Sequence, residues 1–300
     1  AEAAHEASTG PLAGFRMSDA DRYELKIAGW LHDCGKVTTP EWVIDKATKL
    51  SAIHDRIELI ATRFAAAKAQ AEAAYLRGLA DGGDEGTLRM VFADIVQSLD
   101  DDLVFLRKAN TGGEFMTPED QDRVKAIAKR TWVDLQGQTA PMLTPDEVKN
   151  LCIPRGTLTE EERKIINHHI VATIRMLESL PYPKHLKRVP EYAGGHHERM
   201  DGRGYPNGLT REQMSVQARI MGIADIFEAL TAGDRPYKKA YTLTQALTIL
   251  GKMKLDHHID GDLFDVFLHS GVWKTYADRF LAPEQIDEVD ISRLPGYQPV

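Results

Sequence analysis

SVQARIMGIADIFEALTA, residues 215–232, is a run of apolar residues at helical spacing with Asp225 near its middle. This pattern predicts a helix buried on most sides. An unpaired carboxylate in such a helix costs several kcal/mol, so Asp225 must be ion-paired, hydrogen-bonded or bound to a metal. A structural salt bridge and metal ligation both remain open for it.

Apolar residues recur at helical spacing along most of the chain, and alternating β-branched runs are scarce. The sequence therefore predicts an all-α fold. One helix is expected to begin at residues 18–20 and to end near 32–36. Another should begin at Thr159, which has a capping-box partner in Glu162, and run to about Leu180. Amphipathic helices are also expected at residues 243–255 and 262–276.

Residues 50–150 differ in character from the rest. Charged and Ala-rich segments at residues 56–78, 88–109 and 117–135 are separated by breaks rich in Gly and Asp, and His54 is the segment's one histidine. We predict long paired helices, inserted as a hairpin between the two parts of a second domain, residues 1–49 and 151–300. The hairpin would serve packing or a homodimer contact, or would transmit a signal from upstream elements.

The formal charge argues against one broad class of function, the binding of nucleic-acid polymers. Lys and Arg number 37 against 45 Asp and Glu, a net charge of −8, which gives little support to a surface for nucleic-acid polymers. Two cysteines are too few for a disulfide framework, and no apolar run is long enough to cross a bilayer. We expect a cytoplasmic segment of a longer polypeptide, because the chain begins at Ala1 in helix-like sequence.

Helix geometry separates the neighbours His168 and His169. With Ile166 at zero and about 100° per residue, His169 falls near −60°, inside the apolar arc of its helix, and His168 points almost the opposite way. His169 is therefore predicted to be a buried imidazole that needs a partner, and His168 to be solvated. A satisfied core histidine and a metal ligand are both open for His169.

A second histidine pair, His196-His197, follows Gly194-Gly195. The glycines would allow backbone conformations that aim both imidazoles at one centre. Histidine and carboxylate ligands without thiolates favour Fe, Mn, Zn, Ni or Mg over a sulfur-ligated centre. Cys34 is interpreted as a small core residue.

These features occur in a fixed order that resembles the HD-GYP phosphodiesterases, a branch of the HD superfamily of metal-dependent phosphohydrolases. The resemblance rests on HDCGK (residues 32–36), GTLTE (156–160) leading to His169, HHERMDGRGYP (196–206), and DIFEALT (225–231) with RPYK (235–238). It implies an all-helical domain with a two- or three-metal centre that hydrolyses cyclic di-GMP to the linear dinucleotide, and sometimes onward to GMP.

The resemblance also implies roles for individual residues. Lys36 would lie near the scissile phosphate and stabilise developing negative charge, and Asp33 would bridge the metals. The metals would be Fe or Mn, with Ni, Zn or Mg as alternatives. Their ligands would be His32, Asp33, His169, His196, His197 and Asp225. The substrate-binding residues would be Arg235, Lys238, Gly204, Tyr205 and Pro206.

Three features depart from the family pattern. A further upstream histidine ligand is expected, and His5 is the one candidate present unless that ligand precedes Ala1. Glu228 stands where many members have aspartate, and about a hundred residues separate Lys36 from Gly156.

We weigh the enzyme against two other classes, a silent cyclic-dinucleotide receptor or scaffold and an HD hydrolase of ordinary nucleotides. The motif residues from His32 onward favour an active enzyme, and the GYP loop disfavours an ordinary nucleotidase. Cyclic di-GMP and cyclic GMP-AMP are not distinguished. An upstream sensor domain or a GGDEF-type protein would be a signalling partner.

Overall fold

The computed structural model describes residues 1–113, 115–233 and 240–299. Its regular structure is helical apart from one two-stranded sheet, which confirms the all-α prediction. The helices are α1 (Glu2–Glu6), α2 (Asp19–Leu31), α3 (Glu41–Ile44), α4 (Ile57–Ala80), α5 (Glu85–Asn110), α6 (Pro118–Ala128), α7 (Pro145–Leu151), α8 (Glu160–Asn167), α9 (His169–Glu178), α10 (Val189–Gly194), α11 (Val216–Thr231), α12 (Leu243–Leu255), α13 (Gly261–His269) and α14 (Val272–Phe280). The strands are β1 (Thr131–Val133) and β2 (Thr139–Pro141).

The chain forms two compact units. We call Ala1–Thr39 with Ile166–Val300 the terminal unit, and Pro40–Ile165 the insert unit. The sequence placed the boundaries at 49/50 and 150/151, whereas the packing changes at 39/40 and 165/166. The difference arises because Lys46, Lys49 and Leu50 are buried within the insert unit, where Lys49 Nζ donates to the Leu151 carbonyl. The assignment of residues 50–150 as a separate domain stays a prediction.

Side-chain caps begin several of the helices. Ser18 accepts a hydrogen bond from the Asp21 amide at the start of α2, and Ser215 accepts one from the Ala218 amide at the start of α11. Such caps satisfy amide groups that lack a partner within the helix. Thr159 and Glu162 form the predicted capping box at α8.

Two expected helices are interrupted. The helix beginning near Thr159 breaks at His168, so that α9 starts at His169. Residues 262–276 form α13 and α14, separated at Gly271, which has a φ of 67°. Glycine adopts this left-handed conformation readily, and there it ends one helix and redirects the chain into the next.

The terminal unit has two apolar clusters. One joins α11 to α12–α14 around Phe227, Leu247 and Phe264. The other joins α2, α9, α10 and α11 and includes Ala28 and Tyr192. The second cluster holds the ends of α2, α9 and α10 beside the middle of α11, and these parts of the helices carry the histidines and aspartates singled out in the sequence.

In the insert unit, α4 and α5 pack as the predicted helical pair. Residues 117–135 were expected to be wholly helical, and this was wrong in part, because α6 ends at Ala128 and β1 follows. The β-branched and aromatic residues of β1 favour a strand, and Gly137, with a φ of 76°, lies in the turn to β2. Trp132 pairs with Ala140 and packs against the unit's apolar core.

Buried ion pairs close the insert unit on itself. Lys46 Nζ lies 2.8 Å from Glu162 and 2.8 Å from Asn150 Oδ1. The Lys46 carbonyl accepts a hydrogen bond from the Thr157 hydroxyl. The segment at the start of the insert unit is thus bonded to the segment at its end. No helix within the described residues is both long and apolar enough to span a bilayer.

Candidate metal centre

The HD pair lies at the end of α2. His32 follows the last helical residue, and its Nδ1 donates to the Gly29 carbonyl over 2.8 Å. Gly35 then packs directly on α9, where a Cβ would lie 2.1 Å from the His169 carbonyl oxygen. The Gly35 amide donates to Thr173 Oγ1. The glycine of this motif therefore brings Asp33 against the beginning of α9.

His169 is the first residue of α9 and is 4% exposed, whereas His168 is exposed. This agrees with the orientation predicted from helix phase. Its Nδ1 bonds to the Ile166 carbonyl, and its Nε2 lies 3.3 Å from Asp33 Oδ1. His169 therefore faces the HD pair.

His196 and His197 follow the end of α10. Gly195 has an ordinary right-handed conformation, with a φ of −91°, so the predicted need for unusual backbone conformations is wrong for it. Close packing explains the glycines instead, since a Cβ on Gly194 or Gly195 would lie 2.8 Å from Ile174 or Ala218. The pair can lie beside α9 and α11 because neither glycine has a side chain.

Asp225 lies on α11 and is less buried than predicted. A quarter of its side chain is exposed, and its neighbours Ala224 and Glu228 are exposed too, so this face of the helix is open. Asp225 Oδ1 lies 3.4 Å from His32 Nε2. The carboxylate thus has a partner and also access to solvent.

The six residues form two groups that share one carboxylate. Asp33, His169, His196 and His197 offer ligand atoms that all lie within 4.8 Å of one another. His32, Asp33 and Asp225 do the same. Asp33 belongs to both, which is the arrangement needed for two cations bridged by a carboxylate.

The donor atoms fit a metal. Asp33 Oδ1 and His196 Nε2 are buried, 3.9 Å apart, and neither has a hydrogen-bond partner. The His196 Nδ1 donates to the Ala193 carbonyl, which leaves a lone pair on Nε2. Burying two such atoms without partners is unfavourable, and a cation between them would satisfy both.

The groups around Asp33 shift one another's pKa values. Burial raises the pKa of Asp33, but favourable interactions with the neighbouring side chains of His169, His32 and Lys36 outweigh it and hold that pKa well below its usual range. Hydrogen bonds to Asp225 and Asp33 raise the pKa of His32 to about 10. Burial, with His196 and His169 nearby, lowers the pKa of His197 to about 3. In the metal-free protein His32 is cationic and His197 neutral at pH 7.

Lys36 and the GYP loop border the cluster. Lys36 Nζ lies 2.5 Å from Asp33 Oδ2. The Tyr205 ring stacks on the His197 ring, with centroids 4.9 Å apart, and Gly204 and Pro206 flank that tyrosine in the loop. Arg235 and Lys238, the other two predicted substrate-binding residues, lie outside the described residues.

One residue of this region was not given a role from the sequence. Glu198 is 3% exposed, and its two carboxylate oxygens accept the amides of Asn207 and Leu209 at 2.8 and 2.9 Å. Its position directly after the histidine pair was the available signal. Asp201 instead pairs with Arg199.

The remaining histidines that the structure describes are absent from both ligand groups. His5 Nδ1 accepts the Met17 amide, so its ring is committed elsewhere. The others are His54, His168, His185, His257, His258 and His269.

Comparison with known proteins shows which family this region resembles. Residues 137–263 match a model described as an HD domain, a span that includes His169, His196, His197 and Asp225 but begins after the HD pair.

Several phosphodiesterases of known substrate class are similar to part of this chain. The chain is 39% identical over 109 residues to the 3'3'-cGAMP-specific phosphodiesterase 3 of Vibrio cholerae, covering 36% of this chain and 23% of that protein. It is 35% identical over 127 residues to a cyclic di-GMP phosphodiesterase of Pseudomonas aeruginosa (42% and 29%). It is 36% identical over 121 residues to a cyclic di-GMP phosphodiesterase response regulator of Xanthomonas campestris (40% and 29%).

The chain spans less than a third of the length of each of these relatives. The resemblance seen in the sequence is confirmed: residues 137–263 match an HD-domain model, and the chain is similar to the HD-GYP cyclic-dinucleotide phosphodiesterases.

Proposed function

We propose that this chain is a metal-dependent phosphodiesterase that hydrolyses a cyclic dinucleotide to the linear dinucleotide. Cyclic di-GMP is the leading candidate substrate, and further hydrolysis to GMP is left for the product analysis to decide. The observation that carries the proposal is the pair of ligand groups sharing Asp33, with buried donor atoms that lack partners. The names of the relatives supply the substrate class.

We assign metal ligation to His32, Asp33, His169, His196, His197 and Asp225. A metal pair held there would polarise a phosphate oxygen and provide hydroxide at neutral pH. Lys36, whose side chain is 42% exposed, can turn toward a bound phosphate and stabilise the charge that develops on its oxygens. Asp33 would be positioned to bridge, because it belongs to both groups.

The substrate would lie along the GYP loop. Tyr205 contacts a proposed ligand, His197, so a phosphodiester at the metals would be within reach of Gly204–Pro206. Arg235 and Lys238 are proposed to contact phosphates, and a guanidinium can do so with two parallel hydrogen bonds. Such local positive charge would allow an acidic protein to bind an anionic dinucleotide.

The decisive experiment measures metal and product together. Protein purified under anaerobic conditions is analysed for metals, then incubated with cyclic di-GMP and with 3'3'-cGAMP, and the products are separated by chromatography. We expect metal and a linear dinucleotide from at least one substrate. Nucleotide binding without product would instead show a silent receptor, and turnover of ordinary nucleotides alone would show a different HD hydrolase.

The same analysis addresses metal identity and number. Imidazole and carboxylate donors without thiolate favour Fe or Mn, with Ni, Zn or Mg as alternatives. We propose two ions, one for each ligand group, because the described residues offer no third group. Three equivalents in the active protein would require a ligand beyond those described.

We further propose that the insert unit mediates a homodimer. Large apolar side chains on α4 and α5 are exposed, among them Leu76, Met90 and Val91. Long helices with exposed apolar side chains readily pair between copies of a protein. Sedimentation equilibrium should give twice the chain mass, and a Met90→Glu, Val91→Glu double variant should sediment as a monomer. A monomeric wild type would contradict this. An upstream sensor or a GGDEF-type partner stays a prediction.

A further inference from the structure

The four histidines of the cluster are not held in the same way. His32, His169 and His196 each donate Nδ1–H to the carbonyl of the residue three positions earlier. This bond fixes the ring and leaves Nε2 toward the cluster, as is usual for metal-binding histidines. Within the described residues no carbonyl accepts from His197 Nδ1. Another element must therefore orient that ring.

The GYP loop supplies this support. The Tyr205 ring stacks on the His197 ring with an angle of 15° between the planes, and the Tyr205 amide donates to the His197 carbonyl over 3.2 Å. His197 Nε2 lies 3.2 Å from His169 Nε2, so the ring is enclosed between the loop and the other histidine. A displaced loop would free the imidazole to rotate.

Glu198 holds the loop in that place. Its carboxylate is buried and accepts two backbone amides, those of Asn207 and Leu209, just beyond the tyrosine. The loop also lies directly on the Glu198 backbone, since a Cβ on Gly204 would be 2.5 Å from the Glu198 Cα. One side chain therefore ties the far end of the loop to the residue that follows His197.

We infer that Glu198 is a positioning residue that orients His197 through the GYP loop, performing for this histidine what a backbone carbonyl does for the other three. Both of its carboxylate oxygens accept loop amides, so it acts through the loop and not as a ligand. The inference rests on the proposed function, because it assumes that His197 binds a metal. Two acceptor oxygens are required, since each receives a different amide.

The test replaces Glu198 with Gln, which keeps the size but offers one oxygen and a competing NH₂ donor. Metal is removed from the full chain with a chelator, and Co²⁺ is titrated back while its visible absorption is recorded. We expect Co²⁺ affinity at the histidine-rich group to fall about 10- to 100-fold, the usual cost of losing an outer partner of a ligand, with an altered Co²⁺ spectrum. Glu198→Asp keeps both oxygens but draws them back, so a smaller loss is expected.

Glu24 offers a matched control. It is 6% exposed, lies in the same unit, and accepts the Arg188 amide over 2.6 Å. Glu24→Gln should lower the melting temperature without changing Co²⁺ affinity or spectrum. If Glu198→Gln does not fold, Glu198→Asp decides by the same titration.

The outcomes are distinct. A Glu198 variant that titrates like the wild type, or a Glu24 variant with an equal loss, overturns the inference and leaves the proposed function intact. A wild type that takes up no Co²⁺ overturns both.

Discussion

The two units differ in whether their buried polar atoms have hydrogen-bond partners. Five buried side-chain atoms in the described residues lack a hydrogen-bond partner, and all five belong to the terminal unit. Two of them, Asp33 Oδ1 and His196 Nε2, meet in the candidate metal centre; the others are the hydroxyls of Thr39, Tyr182 and Tyr192.

The insert unit also buries charge but pairs it internally. Arg63 forms two hydrogen bonds with the carboxylate of Glu147, which is 2% exposed, and Lys46 binds Glu162. Asn110 bonds to Asp55. Buried polar residues alone are therefore insufficient to identify a site. What distinguishes the terminal unit is that some of its buried ligand atoms have no hydrogen-bond partner.

The strongest test of this contrast is Asp33→Asn. It removes the carboxylate shared by both ligand groups, so we expect bound metal to fall below one equivalent and turnover to drop by more than about 100-fold. Metal analysis and product chromatography measure both. Asp55→Asn in the insert unit is the matched control and should keep metal and turnover. Full metal content in Asp33→Asn would refute the assignment.

Lys36→Ala should affect turnover and spare the metals. Lys36 is not needed as a ligand, and losing one donor that stabilises developing charge typically costs about 100- to 1000-fold in kcat. Steady-state kinetics with elemental analysis of the same sample would show this. Loss of stoichiometric metal would contradict the role, and would show that its bond to Asp33 holds that ligand in place.

Lys46→Ala is the corresponding lysine in the insert unit. Its removal leaves Glu162 largely buried without its cation, and breaking a buried pair costs about 3–5 kcal/mol. Urea unfolding should show a loss in the free energy of unfolding in that range. The turnover of the folded fraction should be unchanged. If Lys46→Ala lowered kcat and left the free energy of unfolding unchanged, the purely structural role of this lysine would be contradicted.

The metal-free protein should show a characteristic pH profile. Histidine titrates near 6.5 when unfolded, so between pH 6.5 and about 3 the unfolded state binds the extra proton at His197 and acid lowers the free energy of unfolding. The folded state keeps the proton on His32 up to about pH 10. The stabilisation that protonated His32 adds to the folded state is complete below pH 6.5 and is lost as the pH rises through 10.

Denaturant unfolding of chelator-treated protein at pH 5, 6.5 and 10 would measure both effects. His32→Asn should remove the alkaline loss and keep the acid one. A wild type equally stable at pH 6.5 and pH 10, matched by His32→Asn, would contradict the assignment to His32.

Local sequence features were sufficient for much of the fold. The helices α11 and α12 begin close to the predicted positions, where Ser215 and Thr242 accept backbone amides, because a hydroxyl before an apolar run is a local signal. The burial of His169 followed from helix phase alone. These features depend on neighbours within a few residues of the chain.

What sequence could not provide depends on distant contacts. The exposure of Asp225 reflects which helices cover α11, and the role of Glu198 requires knowing where residues 207 and 209 lie. The strand at Thr131–Val133 lies in a charged segment that resembles a helix until its partner, β2, is known. The ligand set itself came from the ordered motifs.

The bonds that close the insert unit bear on the order of folding. The contact between Gly35 and Thr173, which brings Asp33 to His169, joins residues 138 apart in sequence. Lys46 and Glu162, which bond to each other, are 116 of those positions apart. Once the insert unit has folded, the loop between Gly35 and Thr173 therefore contains only 138 − 116 = 22 flexible positions. The entropic cost of closing that loop is then lower by about 1.6 kcal/mol. The ligand cluster thus assembles more readily after the insert unit than before it, and a shortened chain would need an equally compact bridge between its two halves.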